Sequence, residues 1–225
     1  MSEYLKTASA AFSKAVETSL SGQITFEEVQ PDDTLLKLDI EKELIILGGP
    51  VSNMLGGAVT GYQYEPLQSG INFPIFSSNN LRWGYYCGDV EYGSYGGTIE
   101  KAKRCEGGIV ERPLYAIVDN RSSSNPKCFK KDENGFLKEE VLLITKITNP
   151  FDNNFSMFII GGMHGYSIRT FSKDIEKNLS ELRKKVRDRK QYQVYIPVAL
   201  DHKNNRGVHV TEATLNWDGA KLELL

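Results

Sequence analysis

Two stretches of the chain carry groups able to do chemistry, each at the end of an apolar run. One is Leu44-Ile45-Ile46-Leu47-Gly48-Gly49-Pro50-Val51-Ser52-Asn53, and the other is Met157-Phe158-Ile159-Ile160-Gly161-Gly162-Met163-His164-Gly165-Tyr166-Ser167. Glycines in such a place let the backbone turn sharply and leave amide groups uncovered. Where a helix starts directly afterwards, its unsatisfied N–H donors and positive dipole end join them, and together they can hold a phosphate or carboxylate. Arg169, placed by the sequence in the first helical turn, can add a charged fork to the same anion. His164 can donate a further hydrogen bond, with a proton affinity that would make binding sensitive to pH. Asn53 both donates and accepts, as reading a base edge or a ribose hydroxyl requires. The sequence therefore nominates Gly48, Gly49, Asn53, Gly162, His164, Gly165, Ser167 and Arg169 as a ligand site. A plainer role stands beside this one, in which the glycines only permit close strand-to-helix packing and Asn53 caps a short helix or closes a turn.

Signals for catalysis are thinner. Ser167 and His164 lie on one loop and could approach as nucleophile and base, but the G-x-S-x-G elbow is missing and no acid is placed to orient the histidine. Cutting a nucleotide or NAD-like glycosidic bond needs a carboxylate near the sugar, and no spacing singles out Asp89, Glu91, Glu100 or Asp119 for it. His164, His202 and His209 match no metal motif, and Cys87, Cys105 and Cys128 lack the C-x-x-C pairing of a zinc site. Catalytic residues and cofactor are left unassigned, and no metal is expected.

The elements that must position these groups are legible in part. Short Ile-rich runs closed by glycine read as buried parallel strands, giving Leu44–Leu47 and then 141–147, 157–160 and 192–200. The turn Asn149-Pro150-Phe151-Asp152-Asn153-Asn154 leaves room for 141–147 and 157–160 to be antiparallel neighbours in part. From Ile168 onward, Phe171, Ile175, Leu179, Leu182 and Val186 step by three or four, which predicts one amphipathic helix. Residues 24–29 and 35–40 read as further short strands, and 208–215 as a closing strand paired with 221–224 through Asp218-Gly219. The fold class expected is α/β, with a Rossmann-like, mainly parallel sheet, flanking helices and an antiparallel C-terminal edge. Residues 1–22 are expected to form a helix packed on the domain, and 23–225 a single α/β domain interrupted by an irregular Tyr/Gly-rich insertion at 61–139. Trp83, Tyr85, Tyr86, Tyr92 and Tyr95 in that insertion could stack on a ligand or simply fill space.

Composition narrows the partners. With 225 residues, 25% charged and a net charge of -2, the chain gives no global reason to expect nucleic acid or an anionic membrane. The basic run Lys184, Lys185, Arg187, Arg189 and Lys190 reads as a solvated helix end. No stretch approaches the roughly 20 apolar residues of a membrane span, and residues 1–20 lack the apolar centre of a signal peptide. A cytoplasmic protein with reduced thiols is the expectation, with a homo-oligomer or a partner protein left open.

The succession of Gly48-Gly49-Pro50-x-x-Asn53, a strand, Asn149-Pro150-Phe151, another strand and Gly162-x-His164-Gly165-x-x-x-Arg169 resembles a Rossmann-like domain of poorly characterised prokaryotic proteins. Similar domains occur beside winged-helix regulators and signalling modules, and a related pattern in archaeal surface-layer proteins. The resemblance covers about 44–59 and 141–200. Relatives continue as Gly-x-Gly-Thr where this chain has Tyr166-Ser167-Ile168-Arg169-Thr170. It implies a fold and a pocket but no reaction. The function expected is a ligand sensor for a nucleotide-like or other anionic small molecule. A nucleotide- or NAD-processing hydrolase of a bacterial signalling or defence system, and an interaction module with a vestigial pocket, are the alternatives.

Overall fold

A computed structural model describes residues 43–48, 80–87, 90–91, 114–119, 121, 127–128, 139–162, 165–201 and 212–225. The expected N-terminal helix and the strands at 24–29 and 35–40 lie outside these residues. The elements in chain order are β1 (Leu44–Leu47), β2 (Leu81–Cys87), β3 (Val90–Glu91), β4 (Leu114–Asp119), β5 (Lys127–Cys128), β6 (Glu139–Thr148), β7 (Ser156–Gly162), α1 (Gly165–Lys173), α2 (Ile175–Val186), β8 (Tyr192–Asp201), β9 (Glu212–Leu215) and β10 (Lys221–Leu224). Strands β2 to β5 fall within the stretch read as an irregular insertion.

The expected mainly parallel Rossmann-like sheet is not what forms. The main sheet runs β1-β7-β6-β8-β10, with β9 also on β8, and it curls into a half-barrel. Its only parallel neighbours among the described strands are β1 and β7. β6 lies antiparallel to both β7 and β8. The connection explains the first of these pairings, because residues 149–155 close a tight turn. There Asn149 N–H donates to the Phe155 carbonyl at 2.9 Å, and the Asn149 and Asp152 side chains accept from the Phe151 and Asn154 amides. A parallel return needs a crossover of a dozen or more residues.

The apolar run of β6 was read correctly as buried on both faces, yet its two covers differ in kind. Leu142 and Ile144 face the helices, in a cluster with Ile168, Phe171, Ile175, Leu182 and Val186. Val141 and Leu143 face the other way, onto Leu81, Trp83 and Ile117 of a second, antiparallel sheet ordered β3-β2-β4-β5. A continuous hydrophobic strand demands two covers without saying whether they are helices or a sheet. Trp83, at 4% exposure, is therefore a core residue.

Gln193 joins the two layers. Its side-chain amide accepts from Leu81 N–H at 2.8 Å and donates to the Leu81 carbonyl at 2.8 Å and to Thr145 Oγ1 at 3.1 Å. Arg121 adds an exposed link, bonding Asp119 and Glu223 at 2.8 and 2.7 Å.

A strand-helix-strand unit is present in altered form. β7 and β8 both oppose β6, so they run in the same direction with β6 between them, and α1 and α2 cross over one face. The predicted single helix is broken at Asp174, whose backbone (φ -122°, ψ 50°) is not helical. Asn178, 5% exposed, repairs the break by donating to the Phe171 carbonyl at 2.9 Å while accepting from Trp217 Nε1 at 3.0 Å. The closing strands do not pair with each other as expected. β9 and β10 follow one another along β8, on Val198–Asp201 and Tyr192–Tyr195 respectively, because ten residues of β8 offer room for both. The turn between them is closed by Asn216, whose side chain accepts from Gly219 N–H at 2.9 Å.

Candidate functional site

Parallel pairing puts the ends of β1 and β7 together. Leu47 stands opposite Ile160, and Gly48 N–H continues the ladder onto the Ile160 carbonyl at 3.0 Å. Gly48 holds φ at 118°, a conformation that side chains resist, which accounts for glycine there. Gly48 and the Gly161-Gly162 pair thus leave the same end of the sheet side by side. α1 begins at Gly165, the third residue after the end of β7.

Beneath this edge lies a residue the sequence reading passed over. Glu140, in the second position of β6, is 1% exposed, and its Oε1 accepts from Ser167 Oγ at 2.8 Å. Ser167 is the third residue of α1 and fully buried. The first turn of the helix is therefore set over the chain's own carboxyl group. Glu140 shares strand parity with Leu142 and Ile144, and that parity was the available signal that this carboxylate points into the helix-covered core.

The nominated residues separate accordingly. Gly48, Gly162 and Gly165 sit at the edge, whereas Ser167 is turned inward to Glu140 and is not presented to a ligand. That geometry removes the serine-nucleophile reading. α1 starts three residues before Ile168, which places Arg169 at the beginning of its second turn rather than in the first. Arg169 is exposed and has no ion-pair partner among the described residues. Gly49, Asn53 and His164 lie outside the described residues. Glu139, Asp201 and Glu212 belong to the same end of the sheet by register, on the face away from α1.

Of the acids weighed for glycosidic cleavage, Asp119 is on the opposite face of the main sheet. The Arg121 guanidinium beside it, through a hydrogen bond before all else, holds its carboxyl below the ordinary 3.8. Asp119 holds Arg121, whose guanidinium also reaches Glu223 of β10. Glu91 lies in β3, and Asp89 and Glu100 fall outside the described residues. Among the described residues no helix is long and apolar enough to cross a membrane, and no three His, Cys, Asp or Glu side chains gather as metal ligands would. Comparison with protein-family models, curated proteins and solved structures finds no match.

Proposed function

We propose that the chain is a ligand-binding domain of the sensor type, acting in the cytoplasm, whose site is the glycine-lined end of β1 and β7 at the start of α1. The observation that carries this reading is the in-register convergence of Gly48 and Gly161-Gly162 at one sheet end, with the helix starting at Gly165. Close backbone approach is possible there because no Cβ intervenes. The ligand class is a nucleotide-like or other anionic small molecule. Arg169, exposed beside the edge and without a partner among the described residues, supplies the cation for its charged group. Ser167 Oγ is already engaged by Glu140, so the ligand's anion is held without that hydroxyl. No described group is placed to attack a bond, which favours binding over turnover.

A thermal-shift screen of nucleotides, cyclic nucleotides, NAD and ADP-ribose tests this, since a ligand that binds only the folded state raises its stability with concentration. One of these compounds is expected to raise Tm without chromatographic products, and Arg169→Ala to weaken it about tenfold or more. Silence across the panel, or a ligand indifferent to Arg169, would overturn the site.

A further inference from the structure

The opposite end of the main sheet carries a different surface. Tyr192 of β8 pairs across β6 with Lys146, next to Ile147, which itself faces Met157 near the start of β7. That end is the far one from the glycine turns, and the last turn of α2 lies over it, Val186 packing in one cluster with Tyr192. Arg183, Lys184, Arg187, Arg189 and Lys190 are all exposed there, and Lys185 partly so. Lys184 reaches Glu181 at 2.7 Å, while the other five have no ion-pair partner among the described residues.

Cations within the last helical turn complement the dipole, but Arg187, Arg189 and Lys190 lie beyond it, where that benefit fades. Arg187 also holds a positive φ of 50°, a position at which helices usually end in glycine. The cations border apolar surface. Leu224, opposite Tyr192 in the β8–β10 ladder, is 52% exposed and shares a hollow of about 370 Å³ with Arg189, Lys190 and Gln191. A second hollow of about 290 Å³ lies along α2 between Lys184, Lys185 and Trp217.

We propose that the far end of α2, with Leu224 at its foot, is a docking surface for an acidic polypeptide segment that carries an apolar anchor residue. Charge complementarity argues for the acid, since five exposed or half-exposed cations have no ion-pair partner among the described residues. The hollow at Leu224 argues for the anchor, because interface energy concentrates in apolar side chains seated within a polar rim. A polypeptide fits better than nucleic acid. Exposed Leu224 seats an apolar side chain, which a polypeptide carries and a phosphodiester backbone does not, and the acids Glu181, Asp188 and Asp218 among the cations suit an occupant whose charges are spaced rather than one charged at every unit.

The test is fluorescence anisotropy with a set of short labelled Asp/Glu-rich peptides, each holding one Leu or Phe, beside Asn/Gln-rich versions and single-stranded RNA of matched length. At least one acidic peptide is expected to bind about tenfold tighter than its amide version and to weaken as salt rises. The double variant Arg189→Glu, Lys190→Glu should abolish this binding, and Leu224→Asp should weaken it, while Lys173→Glu on α1 leaves it unchanged. Far-UV circular dichroism and Tm of each variant establish that the fold persists. The proposal is overturned if no acidic peptide exceeds its amide version, if RNA binds more tightly than every peptide, or if the double variant instead abolishes self-association measured by sedimentation.

Discussion

Tyr192 shows at the scale of a residue how burial becomes a measurable pH effect. It is 3% exposed, and burial pushes its phenol from the ordinary 10.0 up to about 12. The folded protein therefore retains the neutral phenol at a pH where the unfolded chain has already lost the proton. Its contribution is complete below the unfolded value of 10.0 and is lost as pH rises through about 12. A separation of about two units corresponds to about 3 kcal/mol at most. Tyr192→Phe should remove this part of the alkaline loss. The difference between the two proteins' urea midpoints should shift in favour of Tyr192→Phe as pH rises through that range, and a constant gap between them would show that the phenol does not titrate with unfolding.

The broken helix is the lesson at the scale of an element. The apolar positions from Phe171 to Val186 satisfy one helical period, and nothing in that period marks Asp174 as the place where it stops. What stabilises the break is polar and remote in sequence. Asn178 reaches back to the Phe171 carbonyl and across to Trp217, which follows β9. Asn178→Ala should leave that carbonyl and the indole N–H without partners in a nearly buried site, lowering stability by roughly 2–4 kcal/mol. The emission of Trp217 should change with it, and that change should vanish in a Trp217→Phe background, where only Trp83 emits. Stability equal to wild type would mean the two helices are held by apolar packing alone.

The whole molecule depends on how two sheets meet, and one amide spans their contact. Gln193 satisfies both backbone groups of Leu81, an edge that would otherwise carry unpaired polar atoms into the interface. Gln193→Leu keeps much of the volume while stripping both partners, and unfolding free energy should fall by roughly 2–5 kcal/mol. Hydrogen exchange should report the loss first at the Leu81 amide and its neighbours in β2 and β4. If those amides kept their protection, the second sheet would be docked by Trp83 and Ile117 packing instead. The basic far end and the glycine-lined near end stand on this one frame, so damage to Gln193 need not touch either surface directly.

The sequence alone determined the strands at Leu44–Leu47, β6, β7 and β8, the apolar stripe on α1 and α2, and the glycine at which β1 ends. Each follows from local chemistry, in the period of apolar residues and the backbone freedom of glycine. Strand direction was not local. The short turn at 149–155 hinted at it, but only the pairing of β6 between β7 and β8 decided that the sheet is mixed. The second cover on β6 was equally hidden, since Val141 and Leu143 are satisfied by any apolar partner and cannot specify a sheet over a helix. At the candidate site the same division holds. Gly48 was readable as a turn, but Gly161 and Gly162, expected to close the strand, are its last ladder residues, and the burial of Glu140 against Ser167, with the loss of that serine to any ligand, arose only when residues 27 apart in sequence packed face to face.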